Sequence, residues 1–230
     1  MKSVDVIVPV LNEEQILPEF IRRVSSLGLD LNLIFIDNAS TDRSPDIVSR
    51  VEGARLIRHD SNRGYGGSLI HGMAECSSDY VIVIDADCEY PPEAIPSILD
   101  ALQTHPVVYT SRLLGRKSST EANMPQLKML GNRIISTLFN LFFAQSTTDL
   151  YTGCKGFRRD CLEGLNFRYT GFEHVLEFAC LLSRRGYRIH DVPVDFQPRA
   201  SGKSKMKHVS ETVKFLALLV YFRLLPMGSR

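Results

Sequence analysis

Apolar and polar positions along this chain alternate between two rhythms. Val4–Val10, Leu31–Ile36, Ala54–Arg58, Tyr80–Ile84 and Val107–Ser111 are short apolar runs, the pattern of buried strands. Between them lie helical patterns. Asn12-Glu13-Glu14 opens a predicted helix to about Ser26, with Ile16, Leu17, Phe20, Ile21 and Val24 on one face. Ser44-Pro45 reads as an N-cap followed by proline at the first helical position. Asn62–Gly67 is a turn ahead of a helix to about Cys76, and Pro92 opens another to about Thr104. This alternation predicts an α/β fold with a mainly parallel sheet and helices on both faces.

After Arg112 the rhythm changes. Leu113–Asn123 is polar and reads as a loop, and Gln126–Ala144 is helical. Thr148–Arg159 is irregular and rich in glycine. Gly171–Arg185 is helical, Tyr187–Phe196 is strand-like but interrupted by Pro193, and Val209–Leu225 is a last helix. There is no internal repeat and no low-complexity segment, so a single domain over 1–230 is expected.

Charge and composition narrow the classes. The chain has 230 residues, 44% hydrophobic and 23% charged, with a net charge of +1. No global field steers it toward nucleic acid or membrane. Locally, Arg199, Lys203, Lys205 and Lys207 form a basic stretch without an acid. Five cysteines without Cys-x-x-Cys spacing suit reduced thiols in a cytosolic setting, with no structural zinc. A strand-like run begins by Val4, so no signal peptide is expected, and no run of about 18 apolar residues predicts a spanning helix.

The densest chemistry is at 81–89. Four apolar residues of a buried strand lead into Asp85, Asp87 and Glu89 at alternate positions. In an extended chain all three carboxylates point one way, and they repel unless a cation holds them. An oxygen-only set suits Mg²⁺ or Mn²⁺. In an open α/β sheet, ligands bind beyond the carboxyl ends of the strands, where this cluster falls. A polar strand-to-loop turn is the plain alternative.

Other strand ends carry polar groups with equally plain alternatives. Glu13, after Pro9-Val10-Leu11-Asn12, can contact a ligand or simply serve a helix N-terminus. Asp37 can accept hydrogen bonds from a nucleobase or ribose, or belong to a capping turn with Ser40, Thr41 and Asp42. Asn62-Arg63-Gly64-Tyr65-Gly66-Gly67 is similar to a phosphate cradle without Walker or dinucleotide spacing, and Gly64 can let a helix N-terminus approach a diphosphate. It can equally be a glycine-rich turn. Asp149-x-x-x-Gly153-x-Lys155-x-Phe157-Arg158 places an acid, a flexible turn and two bases together. Glu173 and Glu177 share one helical face, and Arg199 to Lys205 suits an anion or a solvated linker.

Taken in order, these motifs resemble family-2 glycosyltransferases of the GT-A fold, in particular the dolichyl-phosphate mannose synthase-like branch. Pro-Val-Leu-Asn-Glu at 9–13 is similar to the family's opening motif, and Asp37-Asn38-Ala39-Ser40-Thr41-Asp42 to its Asp-Asp-Gly-Ser-x-Asp. Asn62-x-Gly64 is similar to its Asn-x-Gly turn. Asp85-Ala86-Asp87-Cys88-Glu89-Tyr90-Pro91-Pro92-Glu93 is similar to its Asp-Ala-Asp-x-Gln-x-Pro-Pro-Glu metal motif. Gly171-Phe172-Glu173 to Glu177 and Arg199 to Lys205 resemble the branch's closing segments. The chain departs from the pattern at Asn38, Glu89 and Cys154.

The resemblance implies inverting, metal-dependent transfer of a sugar from a nucleotide diphosphate sugar, of the GDP-mannose or UDP-glucose/GlcNAc type, to dolichyl or polyprenyl phosphate. It implies a nucleotide-sugar-binding half over 1–111, an acceptor half over 112–207 and a C-terminal amphipathic helix over 208–230. It assigns the donor to Pro9, Asn12, Glu13, Asp37, Asn38, Asn62, Gly64, Asp85 and Ala86. Asp85, Asp87 and Glu89 hold Mg²⁺ or Mn²⁺, and Asp85, Asp87 and Asp149 are the catalytic set. Arg112, Arg133, Arg199, Lys203 and Lys205 hold the acceptor phosphate. Such an acceptor is already an anion and needs cations more than a base. The last helix, with Val209, Val213, Leu216, Ala217, Val220 and Leu224 in helical spacing, either lies in a membrane interface or packs on the core. Phe139, Leu141, Phe142 and Phe143 form a second apolar patch. These features imply a protein peripheral on the cytosolic membrane face, with no nucleic-acid partner. Rival readings are a family-2 enzyme acting on the hydroxyl of a soluble sugar or protein with Asp149 as base, an inactive nucleotide-sugar-binding module, and a nucleotidyltransferase. The last lacks its glycine-rich, lysine-bearing loop.

Overall fold

Alternation along β1 (Val4–Val10) sends Val6, Val8 and Val10 to one face of the sheet and Ile7 to the other. β4 (Tyr80–Ile84) repeats the pattern, with Ile82 and Ile84 on the first face and Val81 and Val83 on the second. A sheet apolar on both sides must be covered on both. The first face is covered by α1 (Leu17–Ser25), α2 (Ser44–Val48) and α4 (Ile95–Leu102), through Leu17, Phe20, Val24, Val48, Ile98 and Leu102. The second is covered by α3 (Gly64–Ala74), α5 (Gln126–Phe143), α6 (Glu173–Arg184) and α7 (His208–Leu224). Leu69, Ile135, Phe139, Leu176, Phe178, Phe215, Leu219 and Phe222 pack there. The computed structural model describes residues 2–115, 126–195, 197 and 208–225, without the side chains of 126–128 and 208–213.

The remaining strands are β2 (Asn32–Asp37), β3 (Arg55–Arg58), β5 (Val107–Ser111), β6 (Cys154–Arg158) and β7 (Ile189–Pro193). The sheet runs β3-β2-β1-β4-β6-β5-β7. Pairing is parallel except at β6, which runs antiparallel to both β4 and β5. The connections diverge between β1 and β4, which opens a crevice at the carboxyl ends of these strands.

The expected α/β alternation matches this order, and four differences are instructive. β6 forms within the segment expected to be irregular. Its Lys155 and Gly156 break the apolar pattern, but both are buried between β4 and β5. α1 starts at Leu17 rather than near Asn12. The Glu13 carbonyl accepts from the N–H groups of Ile16 and Leu17 at 3.1 and 2.9 Å, so residues 14–16 form a turn first. Ser44 is the first residue of α2, not its cap, and its N–H donates to Asp42 Oδ1 at 2.9 Å. β7 stops at Pro193, which has no N–H for a ladder.

At the opposite pole from the crevice, Asp5 is a buried acid with a structural task. It accepts from the N–H groups of Ser77 and Ser78 at 2.8 and 2.9 Å and from Ser78 Oγ at 2.7 Å. Burial raises its pKa, but these donors outweigh burial and the net shift is downward. Among the described residues no helix is long and apolar enough to cross a membrane.

Gly156 shows how closely α4 lies on β6. A Cβ there would stand 2.2 Å from Ile98 Cγ2 and 3.1 Å from Leu102 Cδ1. Gly156→Ala should therefore destabilise the domain by about 1–3 kcal/mol through overpacking, read as a lower urea midpoint with an unchanged m-value.

Candidate active site

The loops after β1 and β2 are tied into one unit. Asn12 adopts a left-handed φ of 54°, donates its N–H to Ser40 Oγ at 3.0 Å and accepts the Thr41 N–H at 2.8 Å. The Glu13 N–H donates to Ser44 Oγ at 2.9 Å and the Glu14 N–H to Asp42 Oδ2 at 3.0 Å. These side chains brace one loop against the other, a use the capping-turn reading did not include. Asp37 is fully buried at the end of β2. Its Oδ1 accepts the Ser40 N–H at 3.1 Å, while Oδ2 lies 3.4 Å from Arg58 Nε without a hydrogen bond. Pro9 is half-buried beside this unit.

β4 delivers the acid motif, but the chain does not remain extended. The strand ends at Ile84, residues 86 and 87 turn, and Cys88 takes a left-handed φ of 58°. Period-two geometry is lost, so Asp85, Asp87 and Glu89 do not converge. Among the described residues no three His, Cys, Asp or Glu side chains gather closely enough to hold a metal ion. Glu89 instead donates its N–H to Asp87 Oδ1 at 3.0 Å, and its carbonyl accepts from Gln197 at 3.2 Å. Asp85 and Asp87, with Ala86 buried between them, retain a carboxylate donor set at the strand end. That set fits a hard divalent cation, which takes one or two protein carboxylates and completes its shell with phosphate oxygens and water.

Two residues position Asp85, and each falls in a motif that the sequence suggests for another use. The Tyr65 hydroxyl on α3 donates to Asp85 Oδ1 at 2.9 Å. Burial first, and then the Asp85 charge, push the Tyr65 phenol well above its ordinary pKa, so it remains a donor. Gly153 supplies the carbonyl that accepts the Asp85 N–H at 3.2 Å, and a Cβ on Gly153 would lie 2.2 Å from Asp85 Oδ2. Close approach, more than flexibility, is what requires glycine there.

Asp149 and Arg112 are not placed as expected. Asp149 is fully buried, and Arg112 is 3% exposed. Arg112 Nε and Nη2 donate to the two Asp149 oxygens at 2.7 and 2.8 Å, and the Arg112 N–H adds a third bond at 3.1 Å. Asn132 Nδ2 donates to Asp149 Oδ1 at 2.7 Å. In this arrangement the Asp149 carboxylate has four donors and is enclosed by the fold, and the Arg112 guanidinium is engaged on it. Burial would raise the Asp149 pKa, but Arg112 and the hydrogen bonds hold it below the ordinary value.

The glycine-rich turn also departs from its expected use. Gly64 has a φ of 81°, and a Cβ on it would stand 2.3 Å from the Thr170 carbonyl oxygen. The N–H groups of Gly66 and Gly67, at the start of α3, donate to the carbonyls of Gly171 and Thr170 at 3.3 and 3.0 Å. Protein carbonyls thus take these two amides, and the glycines serve close backbone approach between the start of α3 and residues 170–171. Asn62 Oδ1 accepts the Gly64 N–H at 2.8 Å, and Asn38, buried rather than open to a nucleobase, donates to the same oxygen at 2.9 Å.

Further charged residues are dispersed. Arg158 points to the opposite pole, where it donates to the Leu102 and Gln103 carbonyls. Lys155 is fully buried with Nζ 5.1 Å from the Tyr109 ring centre. Burial lowers its pKa to about 8, against the opposing pull of Asp85 and Asp149. Glu177 is buried and accepts the N–H groups of Arg168 and Tyr169, while Glu173 lies 3.6 Å from Lys214. These glutamates do not form a solvated face. Arg133 is exposed on α5. Arg199, Lys203 and Lys205 lie outside the described residues, as do the side chains of Val209 and Val213.

Of the apolar patch on α5, Phe139 is core and stacks on Phe143 at 5.3 Å, and Phe142 is partly buried. Leu141 alone of the four is open to solvent. On α7 Leu216 packs partly on the core, while Val220 and Leu224 are exposed.

The profile of the family described as Glycosyl transferase family 2 matches residues 5–165. Two curated relatives are similar along most of this chain. The low-salt glycan biosynthesis hexosyltransferase Agl6 of Haloferax volcanii is 28% identical over 203 residues, covering 86% of this chain and 48% of its own length. The dolichol-phosphate mannosyltransferase of Pyrococcus furiosus is 28% identical over 213 residues, covering 89% of this chain and 59% of its own. The chain thus spans about half to three-fifths of these relatives. Among solved structures, glucosyl-3-phosphoglycerate synthase from Mycobacterium tuberculosis superimposes with a TM-score of 0.72 in complex with UDP, at 20% identity over 99% of this chain and 82% of that one. Its complex with Mn²⁺, UDP-glucose and phosphoglyceric acid gives 0.73 at 21% identity, with the same coverage. This likeness establishes the GT-A fold.

Asp149→Ala should cost about 3–5 kcal/mol, because it strands a buried guanidinium. The sign with pH follows from the lowered Asp149 pKa. The ion pair's contribution is complete above the unfolded carboxyl value of about 3.9 and is lost as pH falls through the folded value. The stability gap between wild type and Asp149→Asn should therefore stay constant down to about pH 4 and close only below it, as measured by urea unfolding.

Proposed function

Because the chain belongs to glycosyl transferase family 2, we propose that it transfers a hexose from a nucleotide diphosphate sugar to the phosphate of a polyprenyl or dolichyl carrier. The observation that carries the choice of acceptor is the enclosure of Asp149. A hydroxyl acceptor needs a base, and the carboxylate nominated for that task is engaged on both oxygens. A phosphate monoester arrives largely ionised, with a second pKa of about 6, and attacks without one. The name of the Pyrococcus relative supports this reading.

In the proposed reaction a phosphate oxygen of the acceptor bonds to the anomeric carbon, the bond from that carbon to the diphosphate breaks, and nucleoside diphosphate leaves with the electron pair. In-line attack inverts the centre. In this reading the base and ribose lie along the ends of β1 and β2, near Pro9, Asn12, Glu13 and Asp37. Asp85 and Asp87 would hold Mg²⁺ or Mn²⁺, which when bound neutralises the charge developing on the leaving group. Tyr65 and Gly153 keep Asp85 oriented for that task. Arg133, Arg199, Lys203 and Lys205 are the cations left for the acceptor phosphate once Arg112 is assigned to Asp149. Positioning of the two anions supplies most of the rate.

A lipid acceptor places the protein on a membrane surface, at the cytosolic face. α5 carries Lys128 and Arg133 and no acid, and it exposes Leu130, Ile134 and Leu141. α7 packs beside it on Phe215, Leu219 and Phe222 and exposes Val220 and Leu224. Apolar side chains flanked by bases suit the interface of an anionic bilayer.

The decisive experiment crosses radiolabelled GDP-mannose, UDP-glucose and UDP-N-acetylglucosamine with polyprenyl phosphate, phosphoglyceric acid and a free sugar. Label should enter the organic phase with polyprenyl phosphate alone and fail to do so in EDTA. Asp87→Ala should lower the rate about 100-fold or more with the fold intact. Transfer only to a water-soluble acceptor would overturn the lipid reading.

Substitution of the exposed residues tests the membrane contact separately. Leu141→Glu combined with Leu224→Glu should abolish co-flotation with anionic liposomes. The melting temperature should hardly move, because exposed positions away from special contacts change stability by only about 0.5 kcal/mol. Undiminished flotation would move the contact elsewhere.

A further inference from the structure

Asn38, which stands where the resembled family has an acid, is the hub of a buried hydrogen-bond cluster. It follows the last residue of β2 and is 4% exposed. Its Oδ1 accepts the Arg63 N–H at 2.8 Å and lies 3.0 Å from His59 Nδ1. Its Nδ2 donates to Asn62 Oδ1 at 2.9 Å and to the Gly64 carbonyl at 3.2 Å. These partners define the orientation. A flipped amide would set Nδ2 against the Arg63 N–H and Oδ1 against two acceptors.

The same logic assigns the imidazole protons. His59 must carry hydrogen on Nδ1 to donate to Asn38, so its Nε2 accepts. The 2.9 Å contact between His59 Nε2 and His71 Nδ1 is then donated by His71. The two rings are nearly parallel, at 6°. His59 is neutral in this arrangement. One added proton can be absorbed if His71 moves its own hydrogen to Nε2, but two imidazolium rings cannot share the contact. The groups facing His59 favour the neutral form. Burial first, then Arg63 and His71, lower its pKa, while Asp37, which is paired with Arg58, and Asp60 oppose them.

The cluster holds the turn that carries Tyr65. Asn38 ties Asn62, Arg63 and Gly64 to the end of β2, and the next residue, Tyr65, donates to Asp85 at the end of β4. The base side and the metal side of the crevice are linked through one carboxamide.

We propose that Asn38 is a positioning residue of the donor pocket, its carboxamide clamping the 62–64 turn to β2 with the His59–His71 pair as its backing. This rests on the donor-site reading above. An aspartate at 38 would turn a carboxylate oxygen toward Asn62 Oδ1 and the Gly64 carbonyl, both acceptors, and would draw a proton onto His59. Asn38→Asp is nearly isosteric and so separates charge from packing, while Asn38→Ser removes the clamp without adding charge.

Calorimetric titration with UDP and with GDP, each with Mn²⁺, at about pH 6 and about pH 8 tests this, beside ¹⁵N-resolved imidazole spectra of the same proteins. Wild type should show His59 protonated on Nδ1 at the higher pH. Asn38→Ser should bind nucleotide about tenfold more weakly at both pH values. Asn38→Asp should lose about tenfold at the higher pH, recover part of it at the lower, and titrate His59 at a higher pH than wild type. A purely structural role would give Asn38→Asp a loss independent of pH, with an unmoved His59, and would overturn the proposal. So would His59 protonated on Nε2 in wild type, or wild-type affinity in both variants. If wild type binds neither nucleotide, the donor reading fails, and the His59 tautomer and titration alone decide the clamp.

Discussion

The bidentate pair between Arg112 and Asp149 is the interaction on which the second half of the sheet depends. It joins the residue after β5 to the loop before β6, and Asn132 draws α5 into the same knot. The neighbouring Leu150 N–H donates to Ser136 Oγ at 3.1 Å, a second tie to α5. A buried pair of this kind contributes little net stability against an apolar substitute, yet losing either partner is costly. Its effect is geometric. It sets the 149–153 loop so that the Gly153 carbonyl meets the Asp85 N–H, and the acid-bearing turn of β4 is held from the far side.

The near side of that turn is held by α3. Tyr65 reaches Asp85, and the amides of Gly66 and Gly67 are spent on the carbonyls of residues 170 and 171. These glycines allow backbone to lie on backbone, and no side chain larger than hydrogen fits at Gly64 or Gly66. The amino-terminal and carboxy-terminal parts of the chain therefore meet at the crevice through main-chain contacts. Asp85 stands between the two supports, so its carboxylate is oriented by elements about 90 residues apart in sequence, from Tyr65 to Gly153.

Charge is distributed unevenly around this frame. Lys155 and His174 lie inside it, and burial lowers both pKa values, to about 8 and about 3. Burial raises that of Glu177, against the pull of two backbone donors. A neutral His174 packed against Gly66, Phe167 and Phe178 behaves as an aromatic spacer. Among the described residues its two ring nitrogens have no hydrogen-bond partner, and Nδ1 lies 4.0 Å from Glu177 Oε2. Lys155, buried behind the acid-bearing turn, is drawn toward its charged form by Asp85 and Asp149 against the cost of burial.

The sequence by itself determined the fold class, the strand order's alternation with helices and the positions of the strand ends where polar residues cluster. Each depends on periodicity over a few adjacent residues, which burial on one or two faces imposes directly. The family resemblance was likewise legible, because its motifs are short and contiguous. What only the tertiary structure decided is which polar groups face the crevice. Asp85, Asp87 and Glu89 look equivalent in sequence, yet the left-handed turn at Cys88 separates them. Asp149 and Arg112 look like site residues, but lie 37 positions apart and satisfy each other. Tyr65 and Gly153 lie in visible motifs, but their link to Asp85 has no local signature, and His59 has none at all, since the partners come from other elements. Lys155 and Gly156 concealed an entire strand because their burial is set by β4, β5 and α4. A residue's chemistry is local, but whether a partner consumes it is a property of the packed chain.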